Sequence, residues 1–267
     1  MQHATARVRD AELHYLRAGI GDPVFLIAGW PQTSYAWRRV IPLLAPRYTV
    51  IAPDLRGQGA SERCADGYDA ASIAADLREL AASLGFERVR VVGHGLGVFA
   101  AFAFAAIHRE SVEQLVVLDA PLAGFVPDEV LGDVPASLAW PRSLHSEPDL
   151  AAMLTARRER KLLQTVFAGT DGDEYVRWHS SADALRAGLA YHRTVAQGAL
   201  DGVAPLSIPV LALGGERSMG ERMARAFRSR ALDVTGAIVP GAGHFLHEEK
   251  PDDVARRIAA FFGDGAK

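Results

Sequence analysis

The chain has 267 residues, 49% of them hydrophobic and 23% charged. That supplies one sizeable core, with at most an inserted lid, and excludes a disordered or fibrous chain. Its 29 basic and 32 acidic side chains give a formal charge of −3, with no long run of either sign, which excludes nucleic-acid binding through a basic face.

A single cysteine, Cys64, rules out an internal disulfide and a cysteine-based zinc site. The first residues, Met1-Gln2-His3-Ala4-Thr5-Ala6-Arg7, lack the basic-then-apolar order of a signal peptide. The longest nearly uncharged apolar run, Leu96 to Ile107, has 12 residues, against about 20 for a membrane span. The expectation is a soluble, cytoplasmic protein with no membrane partner.

In chain order, Ala6–Arg9 and Glu12–Arg17 read as strands joined by a tight turn. Pro23–Ala28 reads as a buried strand entering the loop Gly29-Trp30-Pro31-Gln32. Ser34 is placed to cap a helix through Leu44. Tyr48–Ala52 is a strand, followed by a long turn from Pro53 to Gly59. Tyr68 to Leu84 is helical, with Ile73, Ala74, Leu77, Leu80 and Ala81 on one stripe, and Gly85 ends it as a left-handed cap. Val89–Val92 is a central strand entering Gly93-His94-Gly95-Leu96-Gly97. The helix predicted over Val98–Ile107 is apolar on every face and must be buried. Leu115–Leu118, Pro209–Leu213 and Ala237–Pro240 are further strands, and Pro251 to Phe262 is a closing helix.

Strands alternating with helices predict a mostly parallel, twisted α/β sheet flanked by helices. From Pro121 to about Leu206 the pattern becomes helical, rich in Arg and Ala, and punctuated by Pro127, Pro135, Pro141 and Pro148. This segment reads as a helical cap, 122–206, inserted into an α/β core of 1–121 and 207–267. A cleft between cap and strand ends is where such sheets bind ligands.

Gly93-His94-Gly95-Leu96-Gly97 has the frame of a nucleophile elbow, the sharp strand-to-helix turn that presents one side chain above a sheet. The glycines at 93 and 97 let the turn close, and Leu96 offers its backbone N–H at a helix start, a place suited to negative charge. At the centre stands Gly95, which tolerates the backbone but carries no attacking atom. His244, delivered by a Gly-rich turn after the last strand, suits a general base. Two acids are candidates to partner it: Asp119, at the end of the strand after the elbow helix, and Glu216. The latter lies in Gly214-Gly215-Glu216-Arg217-Ser218, where Ser218 occupies the position an acid often holds. His94 reads as a structural polar residue and Cys64 as a loop thiol without a base nearby. Arg157-Arg158-Glu159-Arg160-Lys161 reads as a solvated helix face.

With these residues in view, the chain resembles an α/β-hydrolase of the epoxide hydrolase branch, which includes haloalkane dehalogenase relatives. The resemblance rests on Gly29-Trp30-Pro31-Gln32, Ala52-Pro53-Asp54-Leu55-Arg56-Gly57, the elbow frame, Leu118-Asp119-Ala120-Pro121, and Gly243-His244-Phe245 followed by Glu248 and Pro251. It implies the α/β-hydrolase fold, with elbow, acid and histidine in that chain order. It also implies backbone donors for an oxyanion at Trp30 and Leu96, and in one subgroup an acid at the position of Asp119. The family's nucleophilic aspartate corresponds to Gly95, and the histidine of its H-G-x-P loop to Ala28. Its ring-opening acids in the cap correspond to Pro141, just after Trp140, and to the neighbourhood of Tyr191 and His192. Trp140, Tyr191 and His192 are therefore the candidate substrate-binding residues. Trp30, Trp37 and Trp140 suit an apolar pocket or the core.

Without a nucleophile at residue 95, no covalent intermediate forms there. Three readings follow. The first is acid/base chemistry by a His244–Asp119 dyad on a hydrophobic small molecule: hydration, elimination, isomerisation or cyclisation. The second is an epoxide or ester hydrolase whose attacking residue at 95 has been exchanged for glycine. The third is a non-catalytic binding protein. No metal or organic cofactor is expected, since the chain has neither a phosphate-binding glycine pattern nor a histidine pair at ligand spacing. Substrate and oligomeric state stay open.

Overall fold

Short apolar runs become the buried strands of one sheet. In the computed structural model, which describes residues 1–122, 125–131, 158–166 and 172–264, eight strands pair side by side. They are β1 (Gln2–Val8), β2 (Ala11–Ala18), β3 (Asp22–Ile27), β4 (Tyr48–Pro53), β5 (Val89–His94), β6 (Val112–Leu118), β7 (Val210–Gly215) and β8 (Val234–Val239). Their order is β1-β2-β4-β3-β5-β6-β7-β8. Pairing is antiparallel from β1 to β2 and from β2 to β4, and parallel from β4 onward. Val24–Ile27 and Leu115–Leu118 are fully buried, as strands covered on both faces must be.

The helices are α1 (Ile41–Leu44), α2 (Ala70–Ser83), α3 (Leu96–Ile107), α4 (Asp128–Leu131), α5 (Glu159–Val166), α6 (Asp173–His179), α7 (Ala182–Ala196), α8 (Arg222–Phe227), α9 (Leu246–Glu249) and α10 (Pro251–Ala259). The side chains of α3 from Leu96 to Ala105 are all buried, so its uniform apolarity is accounted for. In α2, Asp69 caps the start by accepting from the Ser72 N–H, and Gly85 follows the end at φ +80°. The predicted helix from Ser34 to Leu44 is instead two pieces. A 3-10 turn over Ser34–Trp37, capped by Thr33, precedes α1. The break has a local cause, because Pro42 lacks the N–H that a helix interior needs and so falls in a first turn. The closing helix stops at Ala259 and passes into a wider turn through Asp264.

From β6 to β7 the described elements are the helices α4 to α7, with no strand of the sheet among them. Arg158, Arg160 and Lys161 are exposed. No helix among the described residues is long and apolar enough to cross a membrane.

The strand order carries the functional consequence. From β3 the chain moves to one side to form β4, and returns to the other side for β5, β6, β7 and β8. The loops leaving the ends of β3 and β5 therefore diverge. The crevice between them is the switch point at which open α/β sheets bind ligands.

Candidate active site

The turn after β5 is tight enough to require two of its glycines. A Cβ on Gly93 would stand 2.6 Å from the Gly97 carbonyl oxygen, and one on Gly97 would stand 2.3 Å from that of Ile27. Gly95 differs: its φ is +53°, but a Cβ there has room. A Cβ there would meet His244 Nε2 at 3.6 Å, His244 Cε1 at 3.7 Å and Gly29 Cα at 3.8 Å, all ordinary contacts. The Gly95 N–H donates to the Leu118 carbonyl at 3.0 Å, which ties the turn to the end of β6.

Asp119, the residue after β6, has φ +40° and is fully buried. Burying a carboxylate is costly unless its lone pairs are satisfied, and four donors satisfy these. Gly215 N–H at 2.8 Å and Met219 N–H at 3.2 Å reach Oδ2. Ser218 Oγ at 2.5 Å and His244 Nδ1 at 2.9 Å reach Oδ1. An acceptor saturated by other donors assigns the proton of the imidazole to Nδ1. The Nε2 lone pair then faces the position above Gly95. Glu216, the other candidate acid, accepts instead from the Gly241 N–H at 2.8 Å on the protein surface. Ser218 supports the acid from the loop where an acid was the alternative.

His94 holds the loop that carries His244. Its Nε2–H donates to the His244 carbonyl at 2.9 Å, and its ring lies 4.7 Å from that of His244 and 4.2 Å from that of His247. Burial, reinforced by the charges of His247 and His244, holds the His94 imidazole well below the ordinary histidine range. His247 packs its ring 4.6 Å from Trp37, and burial holds it down at about 3. Trp37 is therefore a core residue.

A cavity with about 40 Å³ of room for solvent centres opens above this dyad. A single water needs roughly 10–15 Å³ by the same measure, so it suits a small ligand. Its wall includes Trp30 after β3, Gly95 and Leu96 at the elbow, Leu122 after β6, His192 of α7, and His244 with Phe245. The chain at Gly29 passes close to the start of α3, since a Cβ on Gly29 would lie 2.9 Å from the Leu96 nitrogen. The Trp30 indole meets His192 edge to face at 5.3 Å and lies against Gly188, where a Cβ would come within 2.1 Å of Trp30 Nε1.

The structure brings Gly95, Asp119, His244, Trp30, Leu96 and His192 together. Tyr191 lies elsewhere: its hydroxyl donates to the Arg56 carbonyl at 2.9 Å, and its ring packs 5.2 Å from Tyr68. Consecutive helical residues point about 100° apart, so His192 reaching the cavity turns Tyr191 into the core. Trp140, with Pro141, lies outside the described residues. The half-buried Cys64 thiol is raised above its usual range by burial. Among the described residues no group of three His, Cys, Asp or Glu is placed to hold a metal ion.

Sequence reasoning missed Gln32 and Phe245 on the cavity wall. It also gave no role to Glu248, whose Oε1 accepts from Gln32 Nε2 at 2.5 Å and from the Tyr175 hydroxyl at 2.7 Å. Its Oε2 accepts from Arg38 at 2.7 Å. The signal available was its fixed place four residues after His244.

Residues 24–257 match the alpha/beta hydrolase family. The chain belongs to that family. As an alpha/beta hydrolase family member it is 37% identical to a soluble epoxide hydrolase of Corynebacterium sp. (strain C12), covering 97% of this chain and 96% of that protein. It is 31% identical to a fluoroacetate dehalogenase of Burkholderia sp, covering 96% and 92%. The fold matches the epoxide hydrolase CorEH with a TM-score of 0.85 at 35% identity, covering 99% of each chain. It matches Cfl2 of Burkholderia cenocepacia with a TM-score of 0.88 at 35% identity, covering 97% and 95%.

Proposed function

We propose that this family member hydrates a small, largely apolar epoxide without a covalent intermediate on the protein. The observation that carries the reading is the His244–Asp119 pair, 2.9 Å apart, with Nε2 aimed at the open space above Gly95. Asp119 holds the imidazole in the Nδ1–H tautomer, and Nε2 takes a proton from a water held beside Gly95. That water attacks an epoxide carbon as the ring C–O bond breaks, the ring oxygen becomes an alkoxide that the Trp30 and Leu96 N–H groups stabilise, and the Nε2 proton then passes to it to give the diol. A positioned base of this kind contributes about 10²–10⁴-fold.

The epoxide class is taken from the relatives that carry that name, and the small size from the cavity. The segment 122–206 acts as a cap, a role supported by His192 on the cavity wall and by Gly188 against Trp30. His192 faces the substrate. A non-catalytic binding protein is the second reading, favoured by the absence of a side chain at residue 95. Diol formation from propylene oxide separates the two. The first reading requires turnover by the native chain that is lost in His244→Ala. Ligand binding without turnover, equal in both proteins, supports the second. Gly95→Asp tests the position directly, and catalysis found only in that variant overturns the proposal.

A further inference from the structure

The Gln32 amide is held in one orientation. Its Nε2 donates to Glu248 Oε1 at 2.5 Å. The same carboxylate accepts from the Tyr175 hydroxyl at 2.7 Å and from Arg38 at 2.7 Å, and a carboxylate so placed offers only acceptors. Turning the amide over would set its oxygen against a carboxylate oxygen. The backbone is fixed as well, because the Gln32 N–H donates to the Gly29 carbonyl at 2.8 Å. The amide oxygen, Oε1, is thereby committed to the side away from Glu248. It belongs to a cavity-wall residue only 1% exposed, and has no hydrogen-bond partner among the described residues. Buried polar atoms are ordinarily satisfied. An unpaired acceptor on the wall calls for a ligand that brings a donor.

The rest of the wall narrows the ligand further. Among the described residues no Asp, Glu, Lys or Arg side chain lines the cavity, and Leu96, Leu122 and Phe245 make part of it apolar. A charged ligand would be buried there without a counter-charge. A neutral donor is a hydroxyl rather than an amine, which is protonated near neutral pH. Resting on the epoxide reading above, we infer that Gln32 selects an epoxide with a hydroxyl beside the ring, a 2,3-epoxy alcohol, whose O–H donates to Gln32 Oε1. Gln32 stands two residues after Trp30, whose N–H receives the ring oxygen in that reading. One short loop thus holds both oxygens of the substrate, which sets them close together in the molecule. Glu248 keeps the amide from presenting its N–H groups instead.

The test uses the full chain with glycidol and 1,2-epoxybutane, which differ by a hydroxyl in place of a methyl group. The expected result is a kcat/KM at least about tenfold higher for glycidol, because the analogue without the donor leaves a buried acceptor unpaired. In Gln32→Met, which keeps the length of the side chain and removes the acceptor, that ratio falls to about one. Because this substitution risks misfolding, binding is also compared in the native chain with two unreactive isomers. Cyclopropylmethanol carries the donor and cyclopropyl methyl ether does not. The His244 Cε1 proton signal, assigned by its loss in His244→Gln, shifts at a lower concentration of the alcohol than of the ether.

Turnover of both epoxides with equal kcat/KM, or a preference for glycidol that persists in folded Gln32→Met, overturns this inference and leaves the epoxide reading standing. Tighter binding of the alcohol without turnover of either epoxide overturns the epoxide reading and supports Gln32 as the acceptor for a hydroxyl. No turnover and no difference between alcohol and ether overturns both.

Discussion

Asp119 and His244 are separated by 125 positions in the chain and by 2.9 Å in the fold. Asp119→Asn keeps the shape but presents an amide to four donors, and no longer fixes the Nδ1–H tautomer. The expected loss of the proposed epoxide turnover is about 10²–10⁴-fold, together with a fall in Tm, since the amide nitrogen leaves buried donors unpaired. Steady-state kinetics and a thermal melt on one preparation check this.

Ser218 shares Oδ1 of Asp119 with His244. Ser218→Ala leaves the carboxylate three donors of its four. The expected effect is a stability loss of about 1–3 kcal/mol, the range for a buried acceptor losing a partner, read from the urea midpoint. The kinetic loss is smaller than that of Asp119→Asn, since the imidazole contact survives.

Two glycines of one turn respond differently to the same methyl group. Gly97→Ala drives a Cβ into the Ile27 carbonyl at 2.3 Å, between backbone segments that cannot separate easily. Gly95→Ala meets only ordinary van der Waals contacts and bears the cost of a positive-φ backbone, about 1–3 kcal/mol. Urea denaturation therefore ranks Gly97→Ala as the less stable variant.

Stability falls as pH drops below neutral. His247 and His179 are held at about 3 and about 4, chiefly by burial, against an ordinary value of 6.5. As pH falls through 6.5 the unfolded chain takes up protons that the folded chain refuses. The stability present above that point is lost progressively towards pH 4 and below, by about 1.4 kcal/mol per pH unit for each histidine. His247→Phe keeps a ring against Trp37, and its denaturation midpoint varies less between pH 6.5 and 4.5.

Gly188 gives the Trp30 indole its place, since a Cβ there would lie 2.1 Å from Nε1. Gly188→Ala raises intrinsic helix propensity by roughly 1 kcal/mol yet forces the indole to move. Weaker ligand binding together with a changed tryptophan emission spectrum is the expected pair of results. An unchanged spectrum contradicts the contact.

The parts of the fold that were legible are those where burial dictates composition. Val24–Ile27 and Leu115–Leu118 are continuous apolar runs because both faces of the sheet are covered. The ends of β1 and β8 were not legible. Gln2, His3 and Thr235 pair through their backbones at the sheet edges, where side chains face water and carry no pattern. The carboxylate beside His244 was legible in Asp119-Ala120-Pro121, because the residue after a strand end lies at that edge of the sheet. The choice between Tyr191 and His192 was not, since neighbouring helix positions differ only in the direction they face.

His94 precedes Gly95 in the chain and bonds the carbonyl of His244. The imidazole and the elbow are thus mechanically linked through one buried ring. A substitution that moves His94 therefore shifts the backbone of His244 and the turn at Gly95 at the same time.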